Sequence, residues 1–392
     1  MSSPHTFLEG TAESAPATSP LHRSGKAVEI DVAGPWTLIW LKFSRNKVAL
    51  VAGGFIAFLY LVGIFAEFLA PALPEASKPQ YTYAPPQGVA FFVTDANGSS
   101  QFLPHVMGYS QTVDAASGRR IFTVDETKVV PIGFFVKGPA YKMWGFIPAD
   151  LHFIGPLKSS DTMYLLGTDK LGRDLLSRLI YGTRVSMSIG LAGVFISLTL
   201  GVILGSISGF YGGWVDLTIQ RVIEVISAMP TIPLWLGLAA AIPLTWSPLT
   251  VYFLITLIVS LFGWTGLARE VRGRFLSLRG EDFVTAARLD GSNERRLIFR
   301  QILPSLTSHI LAVVTLALPT MIVAETALSF LGIGLKPPVV SWGVLLQDAQ
   351  NVRTIATAYW LLVWPAGAVV LTVLAYNFLG DGLRDAADPY ES

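Results

Sequence analysis

Residues 225–268 read VISAMPTIPLWLGLAAAIPLTWSPLTVYFLITLIVSLFGWTGLA, 44 residues without one Asp, Glu, Lys or Arg. A bilayer core takes about 20 mostly apolar residues per helix and excludes unpaired charge. The stretch is long enough to cross twice, and the interruption at Pro243 and Trp246-Ser247-Pro248 makes it a hairpin of two spans, the third and fourth of the chain. The same rule, applied outward, gives the others. Nineteen uncharged residues between Lys47 and Glu67 open a first span at 48–70, and 31 between Arg184 and Asp216 hold a second at 185–209. Spans five, at 306–334 with Glu325 inside it, and six, at 355–380, complete an expected all-α membrane protein of six transmembrane helices.

Composition agrees. Of 392 residues 52% are hydrophobic and 14% charged, against roughly 25% charged in soluble domains, and mean hydropathy is +0.54. With 28 Lys+Arg against 27 Asp+Glu there is no basic excess to neutralise a phosphate backbone, which excludes an electrostatic nucleic-acid binder. The absence of Cys excludes disulfides, zinc-thiolate sites, iron–sulfur clusters and Cys nucleophiles. His5, His22, His105, His152 and His309 show no metal-ligand spacing.

Orientation follows from Lys/Arg near span ends. The first 47 residues carry five and the segment 269–304 carries eight; four spans separate them, so both are expected on the cytoplasmic side, as is the C-terminus. The first 35 residues are polar and Pro/Ser/Ala-rich, without the pattern of a cleavable signal peptide. The expected layout is a disordered cytoplasmic tail at 1–41 and a first transmembrane helix at 42–70. An extracytoplasmic insert at 71–164, a permease core at 165–384 with five transmembrane helices, and a cytoplasmic C-terminus at 385–392 follow. Within the insert, Val89–Val93 and Ile132–Val136, with turn signals at Asn97-Gly98 and Ser117-Gly118, read as short β-strands, so the insert is expected to be small and β-rich.

The segment joining spans four and five is Arg279-Gly-Glu-Asp-Phe-Val-Thr-Ala-Ala-Arg-Leu-Asp-Gly291, then Ser292-Asn-Glu-Arg-Arg-Leu-Ile-Phe-Arg-Gln-Ile-Leu-Pro304. It reads as two short helices. Glu281 and Asp282 favour a helix start through the macrodipole, and Gly291 supplies a left-handed residue to end it. Ser292 is placed to cap the second helix, and Pro304 suits the opening turn of span five. Ala286, Ala287 and Gly291 form a small-residue surface that permits close backbone approach of a partner; charge alone is equally served by a solvated basic loop.

This loop resembles the coupling motif of ABC-importer permeases, Glu-Ala-Ala, three residues, Gly, then Leu-Pro about a dozen residues on. Ala286, Ala287, Gly291, Leu303 and Pro304 fit, whereas Thr285 stands where the family has Glu, leaving that carboxylate's contact absent or supplied by Glu281 or Asp282. Further segments resemble the oligopeptide/dipeptide/nickel branch: Leu166-Gly-Thr-Asp-Lys-Leu-Gly-Arg-Asp-Leu-Leu-Ser-Arg178, Gly209-Phe-Tyr-Gly-Gly213 with Asp216, and Glu325-Thr-Ala-Leu-Ser-Phe-Leu-Gly332. Pro337-Pro338 with Ser341-Trp-Gly343, and Asn377-Phe-Leu-Gly-Asp-Gly-Leu-Arg384 with Asp388-Pro389, complete the set. The resemblance covers 42–70 and 164–390, and the insert at 84–160 is longer than the branch leads one to expect.

The resemblance implies the type I ABC-importer permease fold and a loop helix that acts as a lever seated in a cytoplasmic ATPase. It implies two ABC ATPase subunits, a second homologous permease subunit and an extracytoplasmic solute-binding protein as partners, in a bacterial plasma membrane. No Gly-x4-Gly-Lys-Ser/Thr phosphate loop occurs in the sequence, so no cofactor is expected on this chain and ATP is expected to be used by the partner subunits. The residues expected to couple are Glu281, Asp282, Phe283, Thr285, Ala286, Ala287, Asp290, Gly291, Leu303 and Pro304. Short peptides or a related small solute are the implied cargo.

Ionisable residues in the membrane are costly and stand as functional candidates. Arg221 and Glu224, three apart at the start of span three, read as an interfacial ion pair before a path residue. Glu325 admits two readings, a polar group beside the translocation path or a helix–helix hydrogen bond. Glu67 reads as interfacial, and Pro230 and Pro233 as a kink before a substrate contact, although broken helices do line transport paths. Arg173, Asp174 and Arg178 read as an outer amphipathic segment that gates the mouth, receives the binding protein or, more commonly, is simply solvated. An ion-driven secondary transporter would show inverted repeats and midplane carboxylates, and a membrane hydrolase a paired nucleophile and base; both leave the loop unexplained.

Overall fold

The computed structural model describes residues 35–94, 100–115, 118, 120–243 and 245–387. Among the described residues five helices are long and apolar enough to cross a membrane, or six when a bent pair is taken as one span. Helix α1 (Pro35–Arg45) leads into α2 (Lys47–Ile64), which starts where the Asn46 side chain accepts from the Ala49 N–H at 3.1 Å. Expected to run to residue 70, the first span stops at Ile64; a one-turn helix α3 (Ala66–Leu69) follows the break at Phe65.

Helix α4 (Leu175–Tyr211) is 37 residues long, well beyond the expected 185–209, because Asp174 caps it ten residues earlier through the Ser177 N–H at 2.8 Å. Its glycines bring backbones together: a Cβ on Gly205 would lie 2.6 Å from the Ala268 carbonyl oxygen, and one on Gly209 2.8 Å from that of Arg272. Both carbonyls belong to α7 (Pro248–Leu278), so the α4–α7 pair packs by the small-residue rule of membrane helices.

The third crossing differs from a single helix beginning near 225. It is α5 (Gly213–Ala228) and α6 (Thr231–Ala240), bent by 83° at Met229 and Pro230. Proline excludes the preceding residue from helical geometry, and Met229 is extended at ψ 134°. After α7 come α8 (Asp282–Leu289), a segment through residue 306 described below, and α9 (Thr307–Phe330). Helices α10 (Trp342–Gln347) and α11 (Val352–Thr357) are short, and α12 (Trp360–Ala387) closes the bundle. The central core gathers Met187, Ile255, Ile322, Trp342 and Tyr376, and the Tyr60 and Tyr376 hydroxyls meet at 2.8 Å to tie α2 to α12.

Between α3 and α4 lies a four-stranded antiparallel sheet in the order β1-β2-β3-β4. Strands β1 (Val89–Thr94) and β2 (Ser100–Val113) form one hairpin; β3 (Arg120–Met143) pairs with β2 as far as Pro131 and with β4 (Ile147–Pro156) from Ile132 onward. The insert is therefore β-rich, and Ile132–Val136 is the point where one 24-residue strand changes partner. The turn signal at Asn97-Gly98 falls outside the described residues, as does Ser117, while Gly118 takes φ +66°. Gln87 and His152 fasten the sheet to the bundle. The Gln87 amide donates to the Met107 carbonyl and accepts from the Tyr164 N–H, and the His152 ring meets the Ala70 carbonyl at 2.6 Å.

Candidate functional site

The loop that follows α7 forms the end of the bundle opposite the sheet. Helix α8 starts at Glu281 without a side-chain cap and ends at Gly291, whose φ of +80° lets Ser292 N–H reach back to the Ala287 carbonyl at 3.1 Å. The second cap is Asn293 rather than Ser292: its side chain accepts from the Arg296 N–H at 2.9 Å. A helical turn at Glu294–Arg296, a π-helical segment at Leu297–Ile302 and a turn at Leu303–Ser305 holding Pro304 then lead into α9.

One face of this unit is seated and the other is bare. Val284 is fully buried with Phe275, Leu297, Ile298 and Ile302, and Ala287 and Leu303 pack against the same cluster. Glu281, Asp282, Phe283, Thr285, Ala286 and Asp290 are exposed, as are Gly291 and Pro304. Leu289 is 84% exposed. A helix that shows water Phe283, Ala286 and Leu289 while its other side is sealed has the form of a docking ridge.

Beneath it, polar groups make the seat stiff. Arg272 of α7 donates from Nε and Nη2 to the two oxygens of Asp216 on α5, at 2.5 and 2.6 Å. Ser208 adds its hydroxyl to Asp216, the Arg279 guanidinium reaches the Gly209 carbonyl at 3.3 Å, and the Tyr211 hydroxyl donates to Glu294 at 2.8 Å. Asp216 was visible in the sequence only as part of a motif; its partner lies 56 residues on, and no local spacing reports it.

The remaining candidates do not join this site. Glu325 is fully buried, accepting from Ser329 at 2.8 Å, Ser341 at 2.7 Å and Ser186 at 3.4 Å. Ser341 also caps α10, and Ser186 accepts the Trp342 N–H at 3.1 Å. Glu325 thus makes the interhelical hydrogen bonds of its second reading, with α4, α9 and α10 meeting at one carboxylate. Arg221 and Glu224 are paired at 2.7 Å and exposed on α5. Pro230 stands at the bend between α5 and α6, three residues before Pro233.

At the sheet end, Arg173, Asp174 and Arg178 are not a solvated helix face. Asp169 accepts from the Leu171 N–H at 2.8 Å, the Arg173 N–H at 3.0 Å, the Arg173 Nε at 2.7 Å and a guanidinium nitrogen of Arg178. Arg178 is 1% exposed, and Asp348, which also pairs with Lys170 at 2.8 Å, lies 4.0 Å from the same guanidinium nitrogen. Asp174 accepts from the Ser177 N–H and hydroxyl, leaving its other oxygen without a partner, and burial pushes its carboxyl up to about 6. It lines a cavity of about 290 Å³ between the sheet and the bundle. Glu67, likewise, is not a solvated interfacial charge: it is buried and clasped by the guanidinium of Arg184, which also donates from Nε to the Gly63 carbonyl at 2.6 Å.

The family described as "Binding-protein-dependent transport system inner membrane component" matches residues 201–390, and "N-terminal TM domain of oligopeptide transport permease C" matches 34–86. The chain is 37% identical over 256 residues to the oligopeptide transport system permease protein OppC of Haemophilus influenzae, covering 65% of this chain and 80% of that one. It is 30% identical over 358 residues to the glutathione transport system permease protein GsiD of Pectobacterium atrosepticum, covering 91% and 92%. A solved structure of the MetNI methionine ABC transporter in inward-facing conformations aligns with 53% of the chain at 15% identity and a TM-score of 0.41.

Proposed function

Because the chain belongs to the binding-protein-dependent inner membrane permeases, in the branch of oligopeptide and dipeptide permeases, we propose that it is one of two permease subunits of an ATP-driven importer of short peptides. The observation that carries this reading is the α8 ridge, with Phe283, Ala286 and Leu289 bare among exposed charges outside and Val284 sealed inside, at a bundle end where the Arg272–Asp216 pair ties α7 to α5. A lever must transmit displacement without bending, and a ridge seated on the Val284 cluster, which includes Phe275 of α7, supports that role.

In this reading the loop end, with its eight arginines between 269 and 304, faces the cytoplasm and both termini lie inside. Two partner ATPases receive Glu281, Asp282, Phe283, Thr285, Ala286 and the rest of the expected coupling set, including Asp290, Gly291, Leu303 and Pro304. Closure of the ATPases on ATP moves α8, and through the α4–α7 contact the bundle alternates access. The sheet end faces outward toward a solute-binding protein. A second permease subunit completes the path. The bend at Pro230 supports a path-lining role for α5 and α6, since broken helices place backbone along transport routes. Glu325, engaged by three hydroxyls, lacks the freedom an ion-coupling carboxylate needs, which counts against a secondary transporter.

The test is co-purification of the tagged chain from mild-detergent extracts, followed by reconstitution. A phosphate-loop ATPase and a second six-span chain should accompany it, and uptake of labelled di- to pentapeptides and glutathione should require ATP. Transport by the chain alone without ATP would overturn the reading.

A further inference from the structure

We propose that the tip of the β3–β4 hairpin, Trp144-Gly145-Phe146, is inserted into the lipid headgroup and upper acyl region beside the first span, anchoring the sheet to the bilayer. The inference rests on the chain being an inner membrane permease and not on the coupling reading, so loss of peptide uptake leaves it standing.

The position of the tip is fixed by the span itself. The Trp144 indole N–H donates to the Ile64 carbonyl at 2.8 Å, the last residue of α2, and the Trp144 backbone N–H donates to Glu67 at 3.2 Å. Helix α2 has 18 residues and so is about 27 Å long, close to the roughly 30 Å of a hydrocarbon core. The tip therefore sits where the apolar layer ends. The Glu67–Arg184 pair lies at the same level, with Glu67 buried and the Arg184 side chain 32% exposed.

The surface there is continuous. Val51 and Phe58 of α2 and Phe65 at its C-terminal break recur every seven residues, exposed by 72%, 58% and 38%. The Phe65 ring contacts that of Trp144 at 6.3 Å, and Trp144 contacts that of Phe146 at 6.1 Å, so the tip adds a further aromatic layer to the stripe. Phe146 is 69% exposed, with the Trp144 ring beside it.

The turn chemistry is wrong for water and right for an interface. Met143 pairs with Ile147, and the residues between them take φ +51° at Trp144 and +85° at Gly145. A hydrated hairpin with left-handed backbone at these positions calls for Asn or Asp before the Gly. Here a bulky indole takes the strained conformation, and aromatic rings with one polar edge are the side chains that concentrate at membrane boundaries.

The absence of Cys makes the test direct. Phe146→Cys, labelled with a nitrobenzoxadiazole fluorophore and reconstituted as the full chain in nanodiscs, should emit as in an apolar medium and lose more than half its emission when the discs contain lipid spin-labelled near the headgroup. Phe58→Cys on the span serves as the quenched reference. Val124→Cys, exposed toward the far end of β3, should be unaffected. If Phe58→Cys is quenched and Phe146→Cys is not, the tip is outside the bilayer and the proposal fails. A blue-shifted label at 146 that lipid does not quench fails it equally, and assigns the tip to a protein partner.

Discussion

Arg272, on the last turns of α7, holds Asp216, on the first turn of α5, by two parallel bonds of 2.5 and 2.6 Å. The pair joins the helix that runs into the coupling loop to the helix that starts the bent crossing. Under the proposed coupling, displacement of α8 would reach the segment with the Pro230 break through this fork.

Arg272→Lys keeps the charge but loses the fork, since an ammonium cannot bond both carboxylate oxygens in one plane. The pair is partly exposed, with side-chain exposures of 30% and 17%, which discounts its worth. We expect a stability loss of about 1 kcal/mol and a larger relative loss of peptide-stimulated ATPase activity in the reconstituted complex. Equal losses in the melting temperature and the coupling ratio would assign the pair to stability alone.

Changes on the bare side of α8 should separate docking from folding. Leu289→Ser and Ala286→Asp alter residues that contact solvent, so the variant chains should insert and melt as the parent does. Uptake and ATPase stimulation should be abolished by Ala286→Asp and strongly reduced by Leu289→Ser. Gly291→Val forces a β-branched residue to φ +80°, at about 1–2 kcal/mol, and should also abolish coupling. Normal transport by Ala286→Asp would remove α8 from the ATPase interface.

The Glu325 hub predicts a stability phenotype. Glu325→Ala leaves the hydroxyls of Ser186, Ser329 and Ser341 without their common acceptor inside the bundle. A loss of about 2–4 kcal/mol is expected, visible as a drop in the melting temperature in detergent. Glu325→Gln retains an acceptor oxygen and should recover most of the stability and transport. A Gln variant that is stable but inactive would restore the path reading.

Asp174 makes a pH prediction whose sign can be worked out. Its carboxyl sits at about 6 in the folded chain because it is buried, against about 3.9 when unfolded. The folded state holds the proton more tightly, so this contribution is fully present below the unfolded value and is lost as pH rises from about 4 to 6. Asp174→Asn keeps an N-cap acceptor for Ser177 and should flatten the melting-temperature profile across that window. Asp174→Ala removes the cap as well and should lie about 1 kcal/mol below Asp174→Asn at every pH. Parallel profiles for the parent and Asp174→Asn would show that another group titrates.

Much of the architecture is written locally. Charge-free intervals locate the crossings because lipid excludes unpaired charge along the chain itself. Glu281, Gly291 and Pro304 mark the loop helices because caps and left-handed turns are set by one or two residues. Pro230 likewise breaks the third crossing through its own ring and the residue before it, although the sequence does not show that the helix before the break begins at Gly213.

What only the tertiary structure decided is which charges meet. Asp169 and Arg178, nine residues apart, meet Asp348 from a distant segment, and Glu67 is buried because Arg184 arrives 117 residues later to clasp it. Read singly, each looks like a surface charge, since the sequence carries the cost of burying an ion but not the partner that offsets it. The insert shows the same division. Alternation marks its strands, but only the long-range pairing of β3 with two partners brings Trp144 against the end of the first span. Crossings and caps are local and therefore legible, whereas ion pairs and docking faces depend on contacts between residues far apart in the chain.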